Sequence, residues 1–275
     1  MSRSAISQAH QALRSLAAAG LLLLSAQVPA ENISAEDCAA GLGSTVFSEG
    51  AALGPDLQIL SWNIQKAGNS GWLADLQQLS AGVELAFLQE AAIDTAIGDT
   101  LLETRHQSFA PGWTNGRKTT GVMTLSRHKA SLECDFSAKE PLLRTPKATA
   151  VTEYPLLGRE DRLLAINIHS VNFSFGLTRY REQLQALSAV IERHEGPVLI
   201  AGDLNTWNPL RVRAVSEFMA SHDLTAVEFK HDLRTTVFGN PLDHILIRGL
   251  ETAAAYAIPV DSSDHNPLLV SLRLP

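Results

Sequence analysis

Val198-Leu199-Ile200-Ala201-Gly202-Asp203-Leu204-Asn205 is an apolar run that gives way abruptly to a carboxylate and an amide. Its apolar part is too short for a helix and suits a strand covered on both faces. The polar residues then stand where the strand leaves its sheet, the place from which scaffolds present reactive groups. Neighbouring runs repeat the pattern. Ile59-Leu60-Ser61-Trp62-Asn63 ends in an amide, Leu85-Ala86-Phe87-Leu88-Gln89-Glu90 in a carboxylate, and Leu164-Ala165-Ile166-Asn167-Ile168-His169 in an imidazole. Two further runs are entered from polar groups: Asp243 precedes Ile245-Leu246-Ile247, and Asp264-His265 precedes Leu268-Leu269-Val270. All six polar ends can share one rim only if the strands are partly antiparallel.

Strands are expected at Leu57–Asn63, Val83–Gln89, Gly121–Ser126, Thr149–Tyr154, Arg162–His169, Val198–Gly202, Leu242–Arg248 and Leu268–Leu274, each rich in Val, Ile and Leu. A helix is expected over Thr178–His194, where Tyr180, Leu184, Leu187, Val190 and Ile191 form one stripe and Gly196-Pro197 stops the chain. A second starts at Asn208-Pro209 and runs to His222, and a third lies near Gly71–Ser80. There is no internal repeat and no Ser/Gly linker between 56 and 275, so that stretch reads as one domain preceded by a short extension, 31–55.

The chain has 275 residues, 45% apolar and 19% charged, which excludes disorder. Two cysteines cannot build a disulfide scaffold or a four-thiolate zinc site. Residues 1–30 carry Arg3 and Arg14, no acid, a short apolar run Leu16–Leu24, and small residues before Ala30. This is the outline of a secretory signal, and the run is too short to span a membrane. Export to the periplasm or beyond is therefore expected, with no membrane anchor; the alternative is an N-terminal helix on a cytoplasmic protein. The net charge of −7 becomes more negative once the leader is removed, which argues against holding nucleic acid by bulk electrostatics. Cys38 and Cys134 have one intramolecular pairing if exported and are free thiols if not.

Glu90, Asp203, Asp243 and Asp264 are hard oxygen donors, and Asn63 and Asn205 add neutral ones. With few thiols or imidazoles nearby, Mg²⁺ is favoured, with Mn²⁺ or Ca²⁺ as substitutes. His265 suits a general base held by a carboxylate, a role open to Asp243. His169 and the two amides could donate to a phosphoryl centre as it gathers charge. Each residue alone is more often a turn former, a strand terminator or a structural histidine; the complement as a whole points to metal-assisted hydrolysis of a phosphate ester. His244 faces away from Asp243 and reads as structural.

Trp62-Asn63-Ile64-Gln65, Leu88-Gln89-Glu90, Asn167-Ile168-His169, Gly202-Asp203-Leu204-Asn205, Leu242-Asp243-His244-Ile245 and Ser263-Asp264-His265-Asn266-Pro267 resemble, in order, the motifs of the endonuclease/exonuclease/phosphatase superfamily. The similarity covers residues 56–275, and Gly121–Ser126, Asn167–Ser174 and Asp264–Val270 are most similar to its bacterial YafD-like branch. The resemblance implies an α+β, four-layer α/β/β/α sandwich of two mixed, largely antiparallel sheets flanked by helices. It implies Glu90 as principal metal ligand with Asn63 and Asp264 beside it. Asp203 and Asn205 would orient water and phosphate, and His265, paired with Asp243, would face His169 across the phosphate. Deoxyribonuclease-like members supply an acid for the His169 equivalent, but here the matching stretch, Trp113–Thr120, has none.

For the substrate, a nuclease is the first expectation. Arg117, Lys118, Arg211 and Arg213 could grip backbone phosphates, or could be ordinary surface charge. Trp113 and Trp207, read as loop residues, could stack bases, cover lipid or pack. The alternative is a phospholipid phosphodiesterase or phosphomonoesterase binding a lipid headgroup, although no aromatic lipid-insertion hairpin is visible in the sequence. A catalytically silent binding protein is a third reading. A monomer is expected.

Overall fold

The computed structural model describes residues 34–44, 52–92, 97, 106–116, 118–140, 145–174 and 176–275. The leader 1–30 and Arg117 lie outside the described residues. The eight expected strands, joined by four more, form two six-stranded sheets. The first runs in the order β13 (Glu251–Ala257), β14 (Leu268–Arg273), β1 (Asp56–Asn63), β2 (Leu85–Ala92), β4 (Thr119–Ser126), β3 (His106–Thr114). The second runs β5 (Leu132–Lys139), β6 (Pro146–Pro155), β7 (Arg162–His169), β8 (Val198–Asp203), β12 (Asp243–Arg248), β9 (Thr225–Ala226). In each sheet one central pair is parallel, β1 with β2 and β7 with β8, and the remaining pairs are antiparallel. Both sheets are therefore mixed and largely antiparallel, as the resemblance implies.

Strand period explains the layers. On β7, Leu163 and Ala165 face inward and join Leu57, Ile59, Leu85, Phe87, Leu199, Ile245, Leu268 and Val270 in the core between the sheets. Leu164, Ile166 and Ile168 face outward, where α3 (Thr178–Ile191) and α4 (Pro209–Ser221) cover them with Tyr180, Leu184, Leu187, Val215 and Phe218. On the other sheet Leu60, Trp62, Ala86 and Leu88 face α2 (Trp72–Leu79) through Leu76. Strands apolar at nearly every position are thus covered on both faces, giving the four layers.

The helices begin where local chemistry starts them. Asn208 caps α4 by accepting from the Arg211 backbone N–H at 3.0 Å, with Pro209 in the first turn. A short helix α1 (Ala35–Gly41), in the stretch read as an extension, packs on α3 and β5. Cys38 on α1 is disulfide-bonded to Cys134 on β5, which settles a pairing the sequence left open. Among the described residues no helix is long and apolar enough to cross a membrane.

Parallel and antiparallel neighbours bring the six polar ends to one rim. β1, β2, β7 and β8 exit there, and β12 enters there with Asp243 paired to Asp203. Ser61 near the end of β1 pairs with Leu268 at the start of β14, which places Asp264-His265 beside Asn63. Gly202 allows β8 to lie against β7 at this point. Its φ is 146°, and a Cβ there would meet the Ile168 carbonyl oxygen at 2.0 Å.

Candidate active site

A cleft of about 600 Å³ opens at the rim, lined by Asn63, Lys66, Glu90, Lys147, His169, Asp203, Asn205, Asp264 and His265, among others. Its backbone is unusual where it carries these groups. Glu90 has φ 53° and sits in a β-bulge, between the Gln89 and Ala91 pairings of β2 with β4. The extra residue re-aims its side chain, as bulges do. Asn205 has φ 49°, and Gln65, Lys66 and Ala67 make a left-handed turn after β1. A segment behind β2 is cross-linked by amides: Gln89 Nε2 donates to Asn167 Oδ1 at 2.8 Å, tying the two sheets together beneath the site.

Asp203 is the hub. Asn63 Nδ2 donates to its Oδ2 at 3.2 Å and the Asn205 backbone N–H to its Oδ1 at 2.9 Å. His169 Nε2 lies 3.5 Å and His265 Nε2 3.9 Å from the same Oδ2. Burial pushes this carboxyl up, with Asp243 in the same direction, against the lowering charge of His265. His265 Nδ1 lies 2.8 Å from Asp243 Oδ2. Burial opposes charge on that ring, but Asp243, Asp203 and Asp264 together outweigh it and raise His265 to about 10. His169 goes the other way: burial, then the charges of Lys147, His265 and Lys66, hold it well below the ordinary imidazole value. The site therefore pairs a cationic His265 with a neutral His169 on either side of a buried carboxylate.

The remaining expected residues are placed as follows. Glu90 lies 4.0 Å from His169 Nε2 and 3.7 Å from Lys66 Nζ. Asn63 Oδ1 accepts from the Gln65 backbone N–H, and Asp264 is exposed at the cleft edge. Asn205 donates its amide to the Ser170 carbonyl at 3.1 Å. His244 is structural, contacting the Thr206 hydroxyl at 2.7 Å.

The expected phosphate grip does not hold together. Arg211 is 1% exposed, and its guanidinium donates to the carbonyls of Val171, Asn205 and Asn172 while lying against the Tyr180 and Trp207 rings. Its two terminal nitrogens are taken up by backbone carbonyls, so Arg211 braces loops inside the protein and does not line the cleft. Arg213 pairs with Glu217 along the solvent face of α4 and does not line the cleft. Lys118 donates to the Lys66 carbonyl at 2.7 Å and so supports the left-handed turn. Trp113 lies in β3, not a loop, and lines the cleft with Lys66 Nζ 5.9 Å from its ring. Trp207 is packed, donating to Asn172 Oδ1. Lys66, Lys147 and Glu140, all at the cleft, were missed because no local sequence signal marks them.

The donors fit a divalent cation. Asp203, Asp243 and His265 bring ligand atoms within 4.8 Å of one another, but His265 and Asp243 already satisfy each other through their short contact. Glu90, Asn63 and Asp264, expected to hold the ion, all line the same cleft and offer further oxygen donors.

This fold and this rim define a class. A family model described as the Endonuclease/Exonuclease/phosphatase family matches residues 60–265, and the chain belongs to that family, whose homologues are phosphoesterase hydrolases. Within it, the chain is 39% identical over 228 residues to a UPF0294 protein of Vibrio vulnificus, covering 80% of this chain and 78% of that relative. The fold matches the human Nocturnin catalytic domain with a TM-score of 0.63 at 17% identity, covering 82% of this chain and 96% of that one. A mannosyl-6-phosphatase of Bacteroides thetaiotaomicron matches with a TM-score of 0.59 at 12% identity, covering 78% and 99%.

Proposed function

We propose that the protein is a divalent-cation-dependent phosphodiesterase acting on nucleic acid, working as a monomer in an oxidising compartment. The observation that carries the chemistry is Asp203, a buried carboxylate held by Asn63 and Asn205 between one charged and one neutral imidazole. The raised His265 moves the base role from that histidine to Asp203. Asp203 takes the proton of the attacking water as the new oxygen–phosphorus bond forms, and His265, held by Asp243, hydrogen-bonds the phosphoryl oxygen that gathers charge. The ester oxygen–phosphorus bond breaks, and the departing oxygen takes its proton from solvent. A cation held by Glu90, Asn63 and Asp264 would supply Lewis-acid stabilisation of phosphate oxygens.

Lys66, Lys147 and Trp113 in the cleft support a nucleic-acid substrate by offering charge for a phosphate and a face for a base. The Cys38–Cys134 bond supports export. A lipid headgroup is the second reading, and one observation favours it. The hairpin of β10 (Thr236–Val237) and β11 (Asn240–Pro241) carries Phe238 at its tip, 87% exposed, and Phe173 on the cleft wall is half exposed. An aromatic hairpin of the kind a lipid surface accepts is therefore present, contrary to the sequence expectation.

The test is a substrate panel with Mg²⁺ or Mn²⁺: plasmid DNA, RNA, phospholipid vesicles and a generic phosphodiester. Cleavage is expected to vanish with EDTA and to fall about 10²-fold or more in Asp203→Asn. Lipid hydrolysis without nucleic-acid cleavage overturns the substrate. Cleavage surviving both EDTA and Asp203→Asn overturns the mechanism.

A further inference from the structure

Trp113–Thr120 contains no Asp or Glu to serve as an acidic partner for His169. Instead, Lys147, the second residue of β6, brings its Nζ to 2.8 Å from His169 Nε2. An ammonium has donors only, so His169 must accept through Nε2 and carry its proton on Nδ1. Behind Lys147 lies Glu140, 1% exposed. Its Oε1 accepts the backbone N–H groups of Asn172 at 2.8 Å and Phe173 at 3.2 Å, its Oε2 accepts the Thr145 hydroxyl, and Lys147 Nζ stands 3.9 Å away. A carboxylate fixed by three donors is an immobile anchor for the ammonium. Of the three N–H bonds of Lys147, one is taken by His169 and one faces Glu140. Among the described residues the third has no partner, and Lys147 shares the cleft wall with Glu90 and Asp203.

We propose that Lys147 is a catalytic residue: its ammonium receives a non-bridging oxygen of the substrate phosphate and stays on it as the five-coordinate centre gathers charge. Glu140 is the positioning residue that holds it. The inference rests on the hydrolase reading above. Lys147 makes and breaks no covalent bond; it supplies fixed positive charge on the His169 side of the cleft. Preorganised donors of this kind account for about 10²–10³ in kcat.

The experiment uses the full chain with Mn²⁺, bis(p-nitrophenyl) phosphate as turnover probe, and inorganic phosphate as binding probe by calorimetry. Lys147→Met is expected to lower kcat about 10²–10³-fold with a smaller change in KM and to weaken phosphate binding. Lys147→Arg, which keeps the charge, should restore most of the phosphate affinity. Phosphate bound by Lys147→Met with wild-type affinity overturns the assignment, whether or not the wild type turns over. A wild type that binds phosphate through Lys147 yet cleaves no diester overturns the hydrolase reading instead. If Lys147→Met does not fold, Glu140→Gln carries the test: about a tenfold lower kcat and weaker phosphate binding are expected, and wild-type values for both overturn the proposal.

Discussion

Glu90 shows how much of a site is invisible in a one-dimensional motif. Its carboxylate is legible at the end of an apolar run, but the left-handed backbone that aims it depends on the bulge between Gln89 and Ala91. A non-glycine residue at positive φ costs about 1 kcal/mol, a strain the surrounding sheet holds in place. Glu90→Gly is therefore expected to be about 1 kcal/mol more stable to urea than Glu90→Ala, while both lose affinity for Mn²⁺ in calorimetry. An alanine variant as stable as the glycine variant would remove the strain. Asp203, Asp243, His265 and His169 were legible for the same reason as Glu90: each ends or precedes an apolar run. Arg211 misled because charge near a motif does not reveal where the side chain goes, and only the loops folding over it turned it inward.

At the scale of elements, the strands of the two large sheets that the sequence did not disclose share a position. β3, β13, β5 and β9 are the sheet edges. An edge strand is half exposed, so His106–Thr114 and Glu251–Ala257 need neither an apolar run nor strict alternation. The central strand Arg162–His169, buried on both faces, has its expected bounds, while β2 is displaced from Val83–Gln89 to Leu85–Ala92 and β6 extends from Thr149–Tyr154 to Pro146–Pro155. The helix expected over Thr178–His194 ends at Ile191. At this scale the Cys38–Cys134 bond is a covalent clamp, closing a separation of 96 residues between α1 and β5. Loop-closure entropy gives such a cross-link up to about 4–5 kcal/mol. Reduction should lower the denaturation midpoint accordingly, with diester cleavage per folded molecule unchanged, since neither cysteine lines the cleft. Equal midpoints for oxidised and reduced protein would mean that packing alone holds α1.

For the whole molecule, buried ionisable groups set the pH range of stability. His169, His194 and His244 are all lowered by burial, His244 to about 4. Unfolded chains take up protons below 6.5 while these rings stay neutral, so stability falls as pH drops from 6.5 towards 4. Asp203, raised by burial, offsets part of this loss, because the folded state binds its proton first. His265 acts on the alkaline side: its contribution is complete below 6.5 and is lost as pH rises towards about 10. In EDTA the melting temperature is therefore expected to peak near neutrality, and Asp243→Asn should flatten the alkaline limb. An unaltered alkaline slope in that variant would show that Asp243 does not hold the His265 charge. The order of apolar runs and their polar ends was enough to determine the doubly covered strands, the shared rim and most of the acids and imidazoles on it, because burial and strand period are local properties written along the chain; the two-sheet sandwich came from the resemblance of the ordered motifs to a family. Which lysine lies against His169, which arginine is swallowed by loops, and how Glu140 reaches Lys147 were decided only in three dimensions, because contacts between side chains far apart in sequence depend on register and loop path and leave no periodic trace.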